Sequence, residues 1–227
     1  MDKRITAAVI LAAGCGSRMM SDITKQRMEI HGTSVLKRSV LAFENTPEVD
    51  SIVVVVREDE IAFAERELDG IKKVVAIVSG GRDRRESARC GFSNIPSETE
   101  FVAIHDAARC LITPKMISDV LYAAYCSGAA TASTPITDTV KKIDGDGIIV
   151  ETFQRESLVL AQTPQVFAVD IYSRALSSDI DGVTDDNMLV ESIGVKVTAV
   201  DTGKRNIKIT TPEDLLYAEF LLGSRGE

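Results

Sequence analysis

The sequence predicts an α/β fold in which helices flank an open, mostly parallel β-sheet. Continuous apolar runs are typical of strands buried on both faces, and they lie at Ala7–Leu11, Ser51–Val56, Lys73–Val78, Phe101–Ile104 and Ala129–Thr134. Helical patterns separate these runs, at Ser34–Glu44, Glu58–Leu68, Arg84–Phe92 and Pro114–Cys126. Strands that alternate with helices form parallel βαβ units, and such sheets bind ligands beyond the carboxyl ends of their strands.

Composition limits the classes of function. The 227 residues suffice for one large domain, 1–227, with a core of Val, Ile, Leu and Ala, since 44% are hydrophobic but only 5% aromatic. The net charge of −8 argues against a general nucleic-acid binder and against a protein of anionic membrane surfaces. We find no signal peptide and no apolar run near the ~18 residues of a membrane span. Four scattered cysteines favour reduced thiols in a cytoplasmic protein.

The pattern changes after Pro135. Two strand-like segments, Thr137–Ile143 and Ile148–Phe153, flank Asp144–Gly147, which has the composition of a hairpin turn. We therefore expect a projecting arm over 137–153, and because an isolated hairpin is barely stable, we expect it to pack on a second subunit.

The remaining elements are predicted from similar signals. A strand is expected at Leu158–Phe167, where Pro164 favours a sheet edge or a bend. Thr211 and Pro212 are a cap and first residue typical of a helix start. Between the strand at Leu158–Phe167 and the helix that starts at Thr211, we expect two helices, at Val169–Ser178 and at Thr184–Ser192, the second capped by Gly194. Two strands are also expected there, at Lys196–Val200 and Ile207–Ile209.

The most informative segment is Val9–Met19, which reads Val-Ile-Leu-Ala-Ala-Gly-Cys-Gly-Ser-Arg-Met. Small residues after a strand let backbone N–H groups approach a phosphate, and two cations, Arg18 and Lys25, follow. The segment is neither a Walker A loop, since no Gly-Lys-Ser/Thr follows, nor a complete dinucleotide fingerprint, since Met19 stands at the third glycine position. The alternative is a tight strand-to-helix turn with solvated cations.

Two further segments carry candidate chemistry. Asp106 follows a predicted strand, where a carboxylate can hold Mg²⁺ together with phosphates, and Arg109 is suited to a substrate phosphate. The alternative is a capping Asp and a surface Arg, and we expect His105 to be structural. Gly80 and Gly81 free the backbone to approach a flat ring, whereas the alternative is a glycine turn before a basic first helical turn. Cations at a helix start are unfavourable, which favours a functional reason.

Together these segments resemble the 2-C-methyl-D-erythritol 4-phosphate cytidylyltransferases and the related alditol-phosphate cytidylyltransferases. The resemblance runs in order from Val9 to Thr211. Its pieces are the small-residue loop with Arg18 and Lys25-Gln26, Gly80-Gly81 with Arg84 and Ser87, His105–Arg109, Asp138–Lys141, Arg155, Thr163–Gln165, Thr184–Asp186 and Asn206–Lys208.

The resemblance implies a Rossmann-like domain, a homodimer that exchanges its arms, and a Mg²⁺-dependent reaction. CTP and 2-C-methyl-D-erythritol 4-phosphate would give the CDP-linked polyol and pyrophosphate, in non-mevalonate isoprenoid precursor synthesis. It implies catalytic roles for Arg18, Lys25 and Lys208. It places the nucleotide at Ala12, Ala13, Gly14, Gly80, Gly81, Ser87 and Asp106, the polyol phosphate at Asp106, Arg109, Thr139, Arg155, Thr163 and Lys208, and the metal at Asp106.

Five residues depart from the family pattern. Cys110 replaces a Pro, Arg27 an aromatic residue, Asn187 an Ala and Arg205 an acidic residue, while Arg82 adds charge to the glycine loop. Several flank the expected polyol site, so they bear on the acceptor more than on the reaction.

Two alternatives remain at this stage. One is a ribitol-5-phosphate cytidylyltransferase, against which Ala108 and Asp138–Lys141 argue. The other is a non-catalytic nucleotide-binding regulatory protein, against which the joint presence of Arg18, Lys25, Asp106 and Lys208 argues.

Overall fold

A seven-stranded sheet forms the centre of the chain as described by a computed structural model covering residues 3–14, 24–178, 180 and 182–224. The strands are β1 (Thr6–Leu11), β2 (Glu29–Ile30), β3 (Thr33–Ser34), β4 (Ser51–Val56), β5 (Val74–Ser79), β6 (Phe101–Asp106), β7 (Ala129–Pro135), β8 (Lys141–Ile143), β9 (Ile149–Thr152), β10 (Val159–Ala168) and β11 (Thr198–Asp201). The helices are α1 (Val35–Glu44), α2 (Ile61–Glu67), α3 (Arg84–Phe92), α4 (Pro114–Ser127), α5 (Val169–Leu176), α6 (Asp186–Ser192) and α7 (Pro212–Gly223).

The strand order of the sheet is β11-β7-β10-β6-β1-β4-β5. Only β10 runs antiparallel to its neighbours in this described sheet, so the predicted mostly parallel fold is confirmed. The chain moves from β1 outward to β4 and β5, then returns to β6 on the other side of β1. This reversal creates a switch point between β1 and β6, the usual place for a ligand in an open α/β sheet. Leu11 lies opposite Asp106 in the register, so both strands end at that crevice.

Side chains of alternating strand positions build a core on each face of the sheet. Ile10 packs in a cluster with Phe43 of α1 and Leu121 of α4, whereas Val9 packs with Ala88 of α3 and Tyr172 of α5. A third, smaller cluster attaches α7 beside β2. The sheet is therefore covered on both faces, as the apolar strands predict.

One local prediction is wrong, and two others are refined by the structure. The segment 207–209 is not a strand, and Ile209 N–H donates one hydrogen bond to the Ala108 carbonyl at 2.8 Å. Pro164 does not lie at a sheet edge, because β10 lies between β6 and β7. It lies instead at a register shift between Ala161 and Gln165, which agrees with the alternative prediction of a bend. The helix expected to begin at Glu58 starts as a 3₁₀ turn and becomes α-helical at Ile61.

The predicted arm is present as the antiparallel hairpin of β8 and β9. The Asp144 carboxylate accepts the backbone N–H groups of Asp146 and Ile148, and Gly147 takes a positive φ of 82° at the turn. Ile143 and Ile149 of the hairpin are both exposed to solvent, at 60% and 59%. The arm thus presents apolar side chains to solvent, a surface suited to a partner.

Candidate active site

A cavity of about 340 Å³ lies at the carboxyl edge of the sheet, beside the switch point. It is bounded by the loops after β1 and β5, the end of β6, and the segment before α7. Its lining is Leu11, Ala13, Gly14, Lys25, Gln26, Gly81, Arg82, Asp83, Arg84, Ser87, Asp106, Ala108 and Lys208.

Hydrogen bonds to β4 and to the Gln26 side chain fix the start of the loop after β1, which lines this cavity. Ala12 is buried, and its N–H donates to the Val55 carbonyl at 2.7 Å. The buried Gln26 amide donates to the carbonyls of Ala12 at 2.7 Å and Gly14 at 3.3 Å. Gln26 therefore fixes the start of the predicted phosphate loop, a role that the sequence did not assign. Arg18, the other predicted cation, lies outside the described residues.

The loop after β5 is closed by its own side chains. Gly81 N–H donates to Ser87 Oγ at 3.2 Å, and Ser87 Oγ donates to the Asp83 carbonyl at 2.8 Å. Asp83 also caps α3 by accepting Glu86 N–H at 2.8 Å. Ser87 is buried, so its first role here is to order the glycine loop, while its contact with a base stays a prediction.

Gly80 lies where no side chain fits. A Cβ built there would be 2.6 Å from Ala13 Cβ and 2.8 Å from Ser87 Oγ. We expect Gly80→Ala to lower the free energy of unfolding by about 1–3 kcal/mol, as overpacking does, and to weaken nucleotide binding by displacing both loops. Urea denaturation and nucleotide titration measure the two effects. Gly145→Ala is the control, because nothing lies within 4 Å of its added Cβ; equal losses in both variants would contradict the prediction.

Asp106 ends β6 in the cavity wall between two cations. Lys208 Nζ donates to its Oδ2 at 2.6 Å, and Arg84 Nε to its Oδ1 at 3.3 Å. Burial alone would raise the pKa of Asp106, but Arg84 and Lys208 outweigh burial and hold the pKa well below its ordinary value. Its N–H donates to Thr163 Oγ1 at 3.0 Å. Asp106 is therefore an ionised and firmly oriented carboxylate.

Arg84 joins Asp106 to a second buried carboxylate. Arg84 NH1 donates to Asp186 Oδ2 at 2.6 Å, and the hydroxyl of Tyr172 donates to Asp186 Oδ1 at 2.6 Å. Burial would lower the pKa of Arg84, but the two carboxylates raise it, so the guanidinium stays charged. Asp186 belongs to the Thr184–Asp186 segment, yet its role in the site was missed by sequence reasoning.

Two further cations of α3, Arg85 in its first turn and Arg89 in its last, also have partners. Arg85 donates to the carbonyls of Ile180 and Ser178, and Arg89 to the Leu176 carbonyl at 2.6 Å. Cations that bind carbonyls at a helix end are favourable. The charges of Arg85 and Arg89 are therefore explained by contacts with the end of α5 and the chain after it.

His105 is structural in this arrangement, as expected. It is fully buried, its Nδ1 lies 3.1 Å from Thr163 Oγ1, and its ring packs on Phe43 at 5.0 Å between centroids. Burial lowers its pKa to about 3, so the imidazole is neutral. Thr163 is thereby turned to His105 and Asp106, and its direct contact with substrate stays a prediction.

Arg109 braces the segment that carries Lys208. Arg109 NH1 donates to the Asn206 carbonyl at 2.8 Å, and the Asn206 amide donates to the Thr163 carbonyl at 2.9 Å. Arg109 is not in the lining of the cavity, so its contact with a phosphate also stays a prediction.

Comparison with known proteins decides the family. The chain matches the family model of 2-C-methyl-D-erythritol 4-phosphate cytidylyltransferase (IspD) over residues 6–224. It is 42% identical over 231 residues to the protein of that name from Pelotomaculum thermopropionicum, covering 99% of this chain and 96% of the relative. The chain belongs to the 2-C-methyl-D-erythritol 4-phosphate cytidylyltransferase family.

Other relatives of this cytidylyltransferase family agree. A Syntrophus aciditrophicus member is 40% identical over 222 residues, with 95% of this chain and 94% of the relative covered. The crystal structure of 4-diphosphocytidyl-2C-methyl-D-erythritol synthase from Anaerococcus prevotii superposes with a TM-score of 0.87 at 30% identity, covering 98% of this chain and 100% of that one. The resemblance and the fold predicted from the sequence are both confirmed.

A second cavity, of about 380 Å³, adjoins the first in this family member and shares Lys208. Its lining is Thr134, Pro135, Ile136, Thr137, Asp138, Leu160, Gln162, Lys204, Ile207 and Lys208. Lys208 is therefore part of the wall of both cavities.

The two predicted arm residues do not line these cavities, although Thr139 follows the lining residue Asp138 and Arg155 contacts the lining residue Thr137. Thr139 and Arg155 are exposed and belong to neither lining. Arg155 NH1 donates to the Thr137 carbonyl at 2.8 Å, and Arg155 Nε lies 3.3 Å from Glu156 Oε1. Their contact with substrate stays a prediction.

Four departures from the cytidylyltransferase pattern have structural explanations. Arg27 pairs with Glu60 at 2.8 Å and lies over the ring of Phe63. Asn187 donates to Thr131 Oγ1 at 3.1 Å and also to Asp185, and Cys110 is a buried thiol whose pKa burial raises to about 12.

Arg82 pairs with Glu86 at 2.6 Å, and this hydrogen bond lowers the pKa of Glu86 to about 2. Its extra charge is thus compensated within the loop. Arg205 is exposed, and nothing in the structure explains it.

Among the described residues, none of the helices is long and apolar enough to cross a membrane.

Proposed function

We propose that this protein transfers the cytidylyl group of CTP to the phosphate of 2-C-methyl-D-erythritol 4-phosphate, in the supply of isoprenoid precursors. The observation that carries the proposal is the position of Lys208, paired with Asp106 and shared by two adjoining cavities. One cavity would hold CTP and the other the polyol phosphate. The names of the relatives support this pair of substrates.

In the proposed reaction, an oxygen of the polyol phosphate attacks the α-phosphorus of CTP. A new P–O bond forms there, the bond to the β-phosphate bridge oxygen breaks, and pyrophosphate leaves with its electron pair. Because the attacking phosphate is already ionised at neutral pH, no general base is needed. Catalysis then depends on positioning and on neutralisation of charge.

The residues divide these tasks between them. Backbone groups of the loop after β1, with Lys25 and Arg18, would face the triphosphate, and Gly81 and Ser87 would face the cytosine. Lys208 would hold the polyol phosphate next to the α-phosphate, because it contacts both cavities. Charge fixed in place before the reaction stabilises the transition state without reorganisation.

Asp106 is the proposed ligand of Mg²⁺. Each carboxylate oxygen accepts one of the two hydrogen bonds from cations, so each keeps a free acceptor position. In the described ranges, no group of three or more His, Cys, Asp or Glu side chains is arranged so that it could hold a metal ion. These residues fit a magnesium ion held by one carboxylate together with phosphates and water. When bound, the ion would neutralise charge on the triphosphate.

We also propose a homodimer, with arm 137–153 as the dimerisation element. The exposed apolar side chains of the hairpin and the absence of Thr139 and Arg155 from the linings of their own subunit's two cavities support it. A cytoplasmic location is proposed as well, and the free thiols of Cys90, Cys110 and Cys126 suit a reducing compartment.

Pyrophosphate release from CTP tests the function directly. We expect release with 2-C-methyl-D-erythritol 4-phosphate and much less with ribitol 5-phosphate. Preference for ribitol 5-phosphate would overturn the acceptor but keep the reaction. Nucleotide binding without release from either acceptor would favour the regulatory alternative.

Asp106→Asn is expected to keep the fold and lose metal-dependent turnover, by roughly 10²-fold in kcat, because a fixed charge is removed from the site. Steady-state kinetics against Mg²⁺ concentration measures the loss, and circular dichroism checks the fold. Asp119→Asn is the control, since Asp119 forms an exposed pair with Lys115 on α4. Full turnover with ordinary Mg²⁺ dependence in Asp106→Asn would contradict the metal role.

A further inference from the structure

Asp186 is a fully buried carboxylate that lies behind the nucleotide cavity and not in its lining. A buried charge is unfavourable unless it is paired and hydrogen-bonded. Asp186 has both kinds of partner, Arg84 NH1 and the hydroxyl of Tyr172, each at 2.6 Å. The proposed transfer reaction does not use Asp186, so its presence calls for another reason.

Arg84 divides its guanidinium unequally between two carboxylates. The contact with Asp186 is 2.6 Å, whereas the contact with Asp106 is 3.3 Å. Short charge-assisted hydrogen bonds are the stronger ones. Asp186 is therefore the main partner of Arg84, and Asp106 keeps only a long contact with it.

Asp186 is itself fixed. Its backbone N–H donates to Gln165 Oε1 at 2.9 Å at the start of α6. Tyr172, which holds its carboxylate, is fully buried and stacks on Phe167 with an interplanar angle of 3°. The Asp186 carboxylate is thus held in a fixed position, and it fixes the guanidinium of Arg84 in turn.

The charges around Asp106 explain the role of Asp186. Asp106 alone would face two cations, Arg84 and Lys208, and would attract a divalent cation weakly. Asp186 adds a second carboxylate to this cluster, in which Asp106 pairs with Arg84 and Lys208 and also interacts with the charge of Arg109. We infer that Asp186 is a positioning residue that draws Arg84 off Asp106 and thereby keeps the Asp106 carboxylate available to a divalent cation. This inference rests on the proposed role of Asp106.

The test measures how strongly Mg²⁺ tightens CTP binding to the full chain. Calorimetric titration with CTP, in saturating Mg²⁺ and in EDTA, gives two dissociation constants, and their ratio is the coupling between metal and nucleotide. We expect Asp186→Asn to lower this ratio roughly 10-fold, because Arg84 then pairs fully with Asp106. Arg84→Gln should leave the ratio at the wild-type value or raise it, although CTP binding as a whole weakens.

The double variant Asp186→Asn with Arg84→Gln distinguishes a charge effect from damage to the fold. The double variant should recover the ratio of dissociation constants that Asp186→Asn lowers, since the uncompensated cation is gone. If the two substitutions only damaged the fold, their effects would add and the ratio would not recover. Tyr172→Phe is the matched control, because it removes a buried hydrogen bond from the same carboxylate without changing charge. Its ratio should stay near the wild-type value, with thermal unfolding recorded for every variant.

The outcomes separate this inference from the proposed function. A wild-type ratio in Asp186→Asn, or a lowered ratio in Arg84→Gln, would overturn the inference even if one of the other variants fails to fold. A ratio unaffected by Asp106→Asn would overturn the metal role of Asp106 and the inference with it. Pyrophosphate release with the two acceptors tests the transfer reaction independently of all these ratios.

Discussion

Lys25→Ala is expected to lower kcat roughly 10²- to 10³-fold while CTP affinity changes much less. Lys25 lines the nucleotide cavity next to Gln26, whose side chain fixes the loop after β1. In the proposed reaction a cation held there would lie near the phosphates throughout, but charge on the transferring group would increase only in the transition state. An interaction that strengthens in the transition state appears in kcat more than in binding.

Steady-state kinetics and direct CTP titration together test this role of Lys25. Lys25→Arg should recover part of the turnover, because it restores the charge with a different shape. Lys72→Ala, at an exposed lysine outside the lining of the cavity, serves as the control. An unchanged kcat with a greatly raised KM would mean that Lys25 acts in ground-state binding alone.

The sheet could be predicted from the sequence because its signals are local. The apolar run Ala7–Leu11 and the capped helix start at Thr211 each depend on a few adjacent residues, and both are present as expected. The position of β10 was not predictable in the same way. Pro164 is unusual inside a sheet, and only the tertiary arrangement places its register shift between two neighbouring strands.

The candidate site, too, was predictable where its signals are local and unpredictable where they depend on tertiary contacts. The loops and Asp106 were found because small residues and a carboxylate follow apolar strands, so topology brings them to one edge. The partners of Arg84 were not found, because they lie 22 and 102 positions away in the chain. Nothing near Asp186 in the sequence shows that it is buried beside Tyr172, since burial depends on how α5 and α6 pack on the sheet.

Mixing two inactive variants, Lys25→Ala and Arg155→Ala, is expected to restore activity if the arm completes the partner's site. Lys25 lies in the cavity of its own subunit, whereas Arg155 lies beyond the exposed hairpin and outside both cavity linings. In a mixed dimer, one site would combine both defects, and the other would combine the intact Lys25 of one subunit with the intact Arg155 of the other. Random assortment gives about half mixed dimers, so about a quarter of wild-type sites should return.

The subunits of the two variants must exchange, and mild denaturation and refolding of the mixture provides this exchange. Native mass spectrometry then counts the mixed dimers. The matched control mixes Lys25→Ala with the double variant that lacks both Lys25 and Arg155. Every site there lacks Lys25, so no activity should return even though mixed dimers form. If the first mixture also stays inactive while mixed dimers are present, Arg155 serves its own subunit or the arm has only a structural role. Activity near a quarter of wild type in the first mixture, and none in the second, would place Arg155 across the interface, because a site within one subunit cannot be repaired by exchange.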